Sequence, residues 1–268
     1  MKNKRIVLLT GGIGTQLFQY VLMCYLRSKG YSVYYKDETH AYNTAYNGLE
    51  LDKYFKINIK PIPLWLYLFL KFYWHYFPKQ YEGGKSRDDN FSENRLFFMG
   101  KWMSKKYWSP AAHVQFKKLP LNEVNAAVLK QIQSTESVGV HVRRGDYLRE
   151  DFVKRFGGVC TLDYYRQAIS FMQQKMQHPK FFVFSDDIPW CQENLQFPDV
   201  VYVDGNRGDD NIYDMYLMSH CKANIIANSK FSYWGAFIST NSLVVYPKKW
   251  YADGQPAPDI FPQSWTGM

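Results

Sequence analysis

Short apolar runs alternate with segments of helical apolar spacing along most of this chain. Near the amino end, an apolar run at residues 5–10 is followed by a glycine turn at 11–14, a helix-spaced segment over 16–28 and a second strand-like run at 31–35. Strands that alternate with helices in this way are typical of a parallel sheet covered by helices. The first part of the chain is therefore predicted to be an α/β domain.

The same alternation is more regular in the second half of the chain. It predicts strands over residues 138–142, 180–184, 200–203, 223–227 and 243–246, separated by helices over residues 162–177, 188–195, 212–220 and 231–241. Polar residues 131–137 separate the two halves. We therefore expect two Rossmann-like domains, residues 1–136 and residues 137–268, with parallel sheets that face a cleft.

The composition limits the class of protein. The chain has 268 residues, of which 46% are apolar, so each half can hold a hydrophobic core and disorder is excluded. The four cysteines are far apart in sequence, which argues against a disulfide framework or a zinc site. No apolar stretch is long enough to span a membrane, and the run at residues 6–9 is too short for a signal peptide. We expect a cytoplasmic protein with reduced thiols.

The net charge of +9 is concentrated in the first half. Residues 1–136 carry 20 Lys/Arg against 10 Asp/Glu, whereas residues 137–268 carry 13 against 14. A basic half suits anionic lipid, an anionic substrate or nucleic acid. The basic residues are dispersed rather than clustered, which argues against nucleic acid. Residues 61–78 are strongly aromatic, and residues 80–93 are predicted to form an exposed loop. The charge asymmetry and the aromatic segment together suggest the hypothesis that residues 61–79 make peripheral contact with an anionic membrane.

Polar clusters follow three predicted strands of the second half, and a fourth follows the first strand of the chain. Ligands of parallel α/β sheets bind outside the carboxyl ends of the strands, so all four clusters are candidate ligand-binding segments. Their members are Gly14, Thr15 and Gln16; His141, Arg143, Arg144 and Asp146; Ser185, Asp186 and Asp187; and Asn228, Ser229, Lys230, Phe231 and Ser232.

Two arginines, Arg143 and Arg144, directly follow a predicted strand. Neighbouring residues on an extended chain point to opposite sides, so we predict that Arg143, on the side of His141, reaches an anion and that Arg144 pairs internally. A guanidinium binds phosphate through two parallel hydrogen bonds. A purely structural network of arginines and aspartates fits the same residues.

The other clusters also have more than one interpretation. Residues 228–232 open a helix whose amides suit a phosphate, but Ser229 also suits plain N-capping. The carboxylates of Asp186 and Asp187 suit a guanine base, Mg²⁺ or the cap of the next helix, although adjacent carboxylates diverge and so disfavour joint chelation. The turn at residues 11–14 lacks the G-x-G-x-x-G spacing of dinucleotide-binding proteins, and an oxidoreductase is a further alternative.

Taken in order, the motifs resemble those of the bacterial α-1,2-fucosyltransferases, which form glycosyltransferase family 11. The specific segments are H-x-R-R-G-D-Y at residues 141–147, F-S-D-D at 184–187 and N-S-x-F-S-x-W-G-A at 228–236, with further matches over most of the chain. The resemblance implies a GT-B-like fold and transfer of L-fucose from GDP-L-fucose to a galactose-terminated oligosaccharide. It also implies inversion at the anomeric carbon and no required metal or other cofactor.

The resemblance further implies roles for individual residues. Arg143 would hold the diphosphate of the donor, Asp186 or Asp187 would read guanine, and His141 would lie near the nucleotide. Residues 229–232 would cradle phosphate at the helix start. Thr15 stands where most members of the family have asparagine, and Lys230 stands where they have a small hydroxyl residue, so both departures alter the expected donor contacts.

An inverting transfer needs a base for the acceptor hydroxyl. Asp146 is the first candidate, followed by Glu150 and Asp151, although Asp146 also suits orienting Arg144. Candidate acceptor contacts are Trp65, Tyr67, Trp74, Trp102 and Trp108. Two alternatives remain: a GDP-sugar transferase with a different donor or linkage, and a nucleotide- or glycan-binding module without turnover.

Overall fold

Two parallel sheets, one in each half of the chain, organise the structure. A computed structural model describes residues 3–42, 47–76, 85–86, 90–239 and 243–268. The chain divides into one unit of residues 1–119 and a second of residues 120–268. Each unit is α/β with a parallel sheet, as the alternation of apolar runs and helical segments predicts.

The first unit contains a four-stranded sheet in the order β2-β1-β4-β3, in which every neighbouring pair is parallel. Its strands are β1 (Lys4–Leu9), β2 (Ser32–Asp37), β3 (Lys85–Ser86) and β4 (Phe97–Phe98). Its helices are α1 (Ile13–Ser28), α2 (Thr39–Tyr42), α3 (Leu51–Tyr54) and α4 (Leu64–Tyr76), followed by a 3-10 helix at Lys105–Tyr107.

The predicted strand–helix–strand start of the chain is confirmed. Helix α1 packs against β1, β2 and α3, and nearly every residue of its first three turns is buried. It begins at Ile13 rather than at residue 16, so the helix starts almost one turn earlier than the sequence suggests. Gly30 has a φ of +85°, a left-handed conformation that favours glycine and that turns the chain from α1 into β2.

The aromatic segment forms helix α4, which packs on the sheet through one side. Leu66 and Leu70 are buried with Ile6 of β1 and Phe97 of β4 in one apolar cluster. Of the loop expected over residues 80–93, residues 80–84 and 87–89 lie outside the described residues, whereas Lys85–Ser86 form a strand instead. Among the helices of the described residues, none is long and apolar enough to cross a bilayer.

The second unit contains a six-stranded sheet in the order β10-β9-β8-β5-β6-β7, again parallel throughout. Its strands are β5 (Glu136–Val142), β6 (Pro179–Ser185), β7 (Val200–Val203), β8 (Ala223–Ile225), β9 (Val244–Tyr246) and β10 (Thr266–Gly267). Its helices are α5 (Glu123–Ser134), α6 (Glu150–Phe156), α7 (Leu162–Lys175), α8 (Ile188–Asn194), α9 (Ile212–Met218) and α10 (Lys230–Ile238).

All five strands and all four helices predicted for this half are present, with ends that shift by a few residues. Helices α5 and α6 and the short strand β10 were not predicted. Strand β5 is central because β6 and β8 pair with its two edges. Residues 137–142 are all buried, so both faces of β5 are covered, which is typical of a parallel strand between layers of helices.

The division of the chain falls earlier than the sequence suggests. The expected boundary after residue 136 would leave α5 in the first unit, but the units divide after Leu119. Helix α5 packs against β5 and α9, and Asn125 Nδ2 donates a hydrogen bond of 2.9 Å to Asn206 Oδ1. These contacts place α5 in the second unit. The helix is amphipathic: its polar side is exposed, whereas its few buried residues pack on the core of that unit.

Candidate functional site

The three polar clusters of the second unit lie at the carboxyl edge of its sheet, as predicted. Val142 at the end of β5 is paired with Ser185 at the end of β6, and Val140 is paired with Ile225 at the end of β8. The segments that follow these strands therefore leave the sheet side by side. This is the edge at which parallel α/β sheets bind ligands.

Two carboxylates fix the guanidinium of Arg143. Its Nε donates a hydrogen bond of 2.9 Å to Asp146 Oδ1, its Nη2 forms an ion pair of 2.8 Å with the same oxygen, and its Nη1 forms an ion pair of 3.1 Å with Asp186 Oδ2. Burial acts against the charge, but the charges of Asp186 and Asp146 outweigh it and raise the pKa of Arg143. A guanidinium has five N–H donors, so this permanently charged group keeps donors for a further anion. About a third of its side chain, 32%, is exposed to receive one.

Arg144 has a different role from Arg143, as the alternation along an extended chain predicts. Its Nε donates to Asp187 Oδ2 at 3.0 Å, and its guanidinium lies 3.8 Å from the centre of the Trp190 ring. It is therefore paired internally. The suggestion that Asp146 orients Arg144 is wrong, because Asp146 contacts Arg143 and Asp187 contacts Arg144.

All four carboxylate oxygens of Asp186 and Asp187 already have a partner within the unit. Asp186 Oδ2 forms an ion pair with Arg143, and Asp186 Oδ1 accepts a hydrogen bond of 2.9 Å from the backbone amide of Arg144. Asp187 accepts from the Arg144 side chain and, at 3.3 Å, from the amide of Trp190, which caps α8. Ser185 Oγ accepts from the Asp187 amide at 3.0 Å and so shapes the same turn. The contacts give both aspartates a positioning role, and recognition of guanine stays a prediction.

Sequence reasoning missed the contribution of Gly145 to this network. A Cβ at this position would lie 2.5 Å from Asp186 Oδ2 and 3.1 Å from its Cγ. Only glycine lets the Asp186 carboxylate approach the turn closely enough to reach both arginines. The sequence around Gly145 holds no signal for this approach, because Asp186 belongs to the turn after β6.

His141 is a buried neutral imidazole beside the arginine. It is 4% exposed, and its ring centre lies 5.6 Å from that of Phe231 at the start of α10. Burial, reinforced by the charge of Arg143 and opposed by that of Asp186, lowers the pKa of His141 to about 3. Its Nδ1 is buried without a hydrogen-bond partner among the described residues. A buried polar atom in this state is costly unless a ligand supplies the missing bond.

The segment that opens α10 divides into residues that build the turn and residues that face outward. Asn228 Nδ2 donates to Phe156 O at 3.1 Å and to Trp250 O at 3.0 Å, and Ser232 Oγ donates to Ser229 O at 3.2 Å. The side chains of Asn228 and Ser232 therefore hold the turn together, and their contacts with a sugar donor stay predictions. Lys230 and Phe231 are partly exposed.

The N-terminal turn of α10 is not capped as one interpretation of the sequence suggested. Ser229 occupies the cap position but its side chain makes no capping hydrogen bond among the described residues. The first amides of α10 therefore carry the partial positive charge of an open helix start on the same side of the sheet as Arg143.

In the first unit, the residues of the predicted ligand turn are buried. Gln16 is fully buried; its Nε2 donates to Gly11 O and Gly48 O at 2.9 and 2.7 Å, and its Oε1 accepts from the Glu50 amide at 3.0 Å. Both ends of the side-chain amide of Gln16 therefore fix the turn, and its contact with a sugar donor stays a prediction. Gly14 and Thr15 are also buried, and their donor contacts stay predictions.

Comparison with known proteins assigns the chain to a family. The model of the family described as Glycosyl transferase family 11 matches residues 115–268, more than half of the chain. The α-1,2-colitosyltransferase of Escherichia coli is 30% identical over 268 aligned residues, which cover 91% of each protein. The chain belongs to glycosyl transferase family 11.

Two further relatives match this glycosyltransferase over shorter regions. The O-antigen biosynthesis glycosyltransferase WbnK of Escherichia coli is 34% identical over 56% of this chain and 54% of its own length. The galactoside 2-α-L-fucosyltransferase SEC1 of Bos taurus is 32% identical over 40% of this chain and 30% of its own length. The resemblance inferred from the motifs is thereby confirmed.

Solved structures confirm the GT-B-like α/β fold of this family 11 chain. The NodZ α-1,6-fucosyltransferase soaked with GDP-fucose superposes with a TM-score of 0.53 at 15% identity, over 97% of this chain and 100% of NodZ. POFUT1 in complex with GDP-fucose gives a TM-score of 0.50 at 12% identity, over 100% of this chain and 98% of POFUT1. At these identities the similarity concerns the fold alone.

The aromatic residues suggested as acceptor contacts of the glycosyltransferase differ in exposure. Trp65 is exposed, Tyr67 and Trp108 are partly buried, and Trp102 is almost completely buried among aromatic rings, which excludes a stacking face at that position. The side chain of Trp74 lies outside the described residues. Within the described ranges, no three His, Cys, Asp or Glu side chains are grouped so that they could hold a metal ion.

Proposed function

We propose that this family 11 glycosyltransferase moves L-fucose from GDP-L-fucose to the 2-hydroxyl of a terminal β-galactoside, with inversion and without a metal. The observation that supports this most directly is the guanidinium of Arg143, held by Asp146 and Asp186 at the carboxyl edge of a parallel sheet. The group is suited to a diphosphate because it is planar, permanently charged and already oriented.

The donor assignment draws on relatives as well as on this site. NodZ and POFUT1, which share the fold, are described with GDP-fucose, and the bovine relative is named a galactoside 2-α-L-fucosyltransferase. Under this proposal Arg143 and the open start of α10 take up the negative charge that grows on GDP as the bond to fucose breaks. His141 Nδ1, which lacks a partner among the described residues, would hydrogen-bond to the bound nucleotide sugar.

Asp146 is the proposed base for the acceptor hydroxyl. Its Oδ1 makes both the hydrogen bond and the ion pair with Arg143, which leaves Oδ2 to take a proton. The structure also gives this residue a positioning role toward Arg143, and the two roles make different predictions. Asp146→Asn keeps an oxygen for Arg143 but has no basic atom, so kcat should fall as far as in Asp146→Ala if Asp146 is the base. If Asp146 only positions Arg143, Asp146→Asn should retain substantially more activity than Asp146→Ala.

A second donor is favoured by one specific comparison. The E. coli protein that aligns over 91% of this chain is named an α-1,2-colitosyltransferase, and colitose is fucose without its 3-hydroxyl. A site that hydrogen-bonds the 3-hydroxyl rejects colitose strongly, whereas a site that merely accommodates it discriminates weakly. Competition between GDP-fucose and GDP-colitose for transfer would therefore separate these donors.

The overall proposal is tested with purified protein, radiolabelled GDP-fucose and a panel of β-galactosides, with and without EDTA. We expect a product that a linkage-specific α-1,2-fucosidase releases and a rate that EDTA leaves unchanged. Loss of activity in EDTA that Mg²⁺ or Mn²⁺ restores would contradict metal independence. Transfer of neither fucose nor colitose, with GDP binding intact, would favour a binding module without turnover.

A further inference from the structure

Helix α4 carries a second apolar surface on the side that does not pack on the sheet. Six large side chains, which we call the α4 outer face, are 45–70% exposed: Leu64, Trp65, Leu68, Phe69, Phe72 and Tyr76. At 100° per residue these positions fall within about 140° of the helix circumference, so they form one continuous stripe. Scattered apolar residues on a surface are ordinary, whereas a contiguous aromatic stripe marks an interaction site.

The opposite side of α4 is occupied by the core of its own unit. Leu66 and Leu70 are buried in the cluster that also contains Ile62. The α4 outer face is therefore not the core-packing side of the helix. An amphipathic helix on a soluble surface usually turns polar residues to water. Here the exposed side is the more aromatic of the two.

The surroundings of the α4 outer face are exclusively basic in sequence. Residues 53–81 contain five lysines and no aspartate or glutamate. Lys60, which precedes α4, and Lys71, which lies within it, are both exposed. The first unit as a whole carries 19 Lys/Arg against 8 Asp/Glu. A partner of this surface must therefore accept apolar side chains and also be compatible with the positive charge of the neighbouring lysines.

We propose that the α4 outer face docks on a lipid bilayer that contains anionic headgroups. Aromatic side chains favour the boundary between headgroups and acyl chains, and flanking lysines are attracted to the negative surface potential. A second copy of this chain fits less well, because a two-fold contact through this face would bring the same lysines together. With 13 residues, α4 is about 20 Å long, so it lies in the interface plane rather than spanning the bilayer.

Flotation of the full-length protein with vesicles tests the proposal. We expect flotation with phosphatidylcholine–phosphatidylglycerol vesicles and markedly less with phosphatidylcholine alone. Leu68→Ser/Phe69→Ser/Phe72→Ser should lower the partition coefficient by about a hundredfold or more, because three apolar side chains no longer insert. Lys60→Glu/Lys71→Glu should lower it by about tenfold or more at low salt and much less near about 1 M NaCl.

Val124→Ser provides the matched control, since Val124 is 60% exposed in the second unit but lies outside the α4 outer face. It should float like the wild-type protein, and all variants should show an unchanged circular dichroism spectrum. The proposal is overturned if the wild-type protein fails to float, if the triple variant floats equally well, or if phosphatidylglycerol makes no difference. Dimers in sedimentation that the triple variant dissociates, without any flotation, would identify a second copy as the occupant instead.

Discussion

Gly145→Ala is expected to disable the proposed donor site while leaving the fold almost intact. The new Cβ would lie 2.5 Å from Asp186 Oδ2, well inside the ordinary contact distance, so the carboxylate must move by about 1 Å. Because the obstructing atom is the end of a flexible side chain, Asp186 can rotate away without disturbing the sheet. The rotation breaks its 3.1 Å contact with Arg143 and its 2.9 Å contact with the Arg144 amide.

The expected magnitudes differ for stability and activity. The side chains of Arg143 and Asp186 are 32% and 25% exposed, so solvent screens their attraction and the free energy of unfolding should fall by no more than about 1 kcal/mol. A displacement of about 1 Å in a group that positions a catalytic side chain, as Arg143 is proposed to be, typically costs about 10²-fold in rate. We therefore expect kcat for fucosyl transfer to fall by about 10²-fold, measured with labelled GDP-fucose.

Two comparisons isolate the mechanism. Gly254 has a φ of +80° and open space around its Cβ position, so Gly254→Ala should cost about 1–2 kcal/mol in stability without changing kcat. If Gly145 acts through Asp186, Gly145→Ala should add little to the defect of Asp186→Ala. A kcat within twofold of wild type, or full additivity of the two substitutions, would refute the reasoning.

Three further predictions concern single side chains. Arg143→Lys should lose about 10²–10³-fold in kcat in the same transfer assay, because a lysine cannot bridge Asp146, Asp186 and a phosphate; activity above a tenth of wild type would contradict this. The pKa of His141 is about 3 in the folded protein and higher in the unfolded chain. The free energy of unfolding should therefore fall by about 1.4 kcal/mol per pH unit as the pH drops below about 6. Urea titrations measure this slope, and His141→Gln should lack it. Burial raises the pKa of Asp214 to about 8, so the contribution of this residue to stability should diminish as the pH rises from about 4 to 8. Thermal melts at pH 6 and pH 8 measure the loss, which Asp214→Asn should abolish. The same difference in melting temperature between the two pH values in the wild-type protein and the variant would contradict this.

The sequence was sufficient for the features that depend on local pattern. Five of the six strands of the second unit, their parallel arrangement and the convergence of three strand-end clusters follow from apolar runs separated by helical segments. The contrast between Arg143 and Arg144 follows from the alternation of side chains along an extended chain. These properties are determined by neighbours in sequence, so they need no knowledge of distant contacts.

The features that were missed depend on contacts between distant segments. The side-chain amide of Gln16 forms hydrogen bonds with the backbone of Gly48 and Glu50, which are more than thirty residues away in sequence. No pattern near residue 16 predicts these hydrogen bonds. Helix α5 has few buried apolar residues and reads as a polar separator until β5 and α9 are placed beside it. The role of Gly145 likewise appears only when the turn after β6 brings Asp186 against it.

Asn228 has a consequence for how donor preference can change in this scaffold. Its carbonyl accepts from Tyr147 Oη at 3.0 Å, and its amide ties the carbonyls of Phe156 and Trp250. Four segments of the chain are thus joined by hydrogen bonds at Asn228. A loop grafted from another enzyme would have to reproduce all of these bonds in order to fit. If the proposed donor site is correct, a change of donor is more readily acquired by point substitutions at partly exposed positions such as Lys230, and directed evolution of this chain should concentrate its gains there.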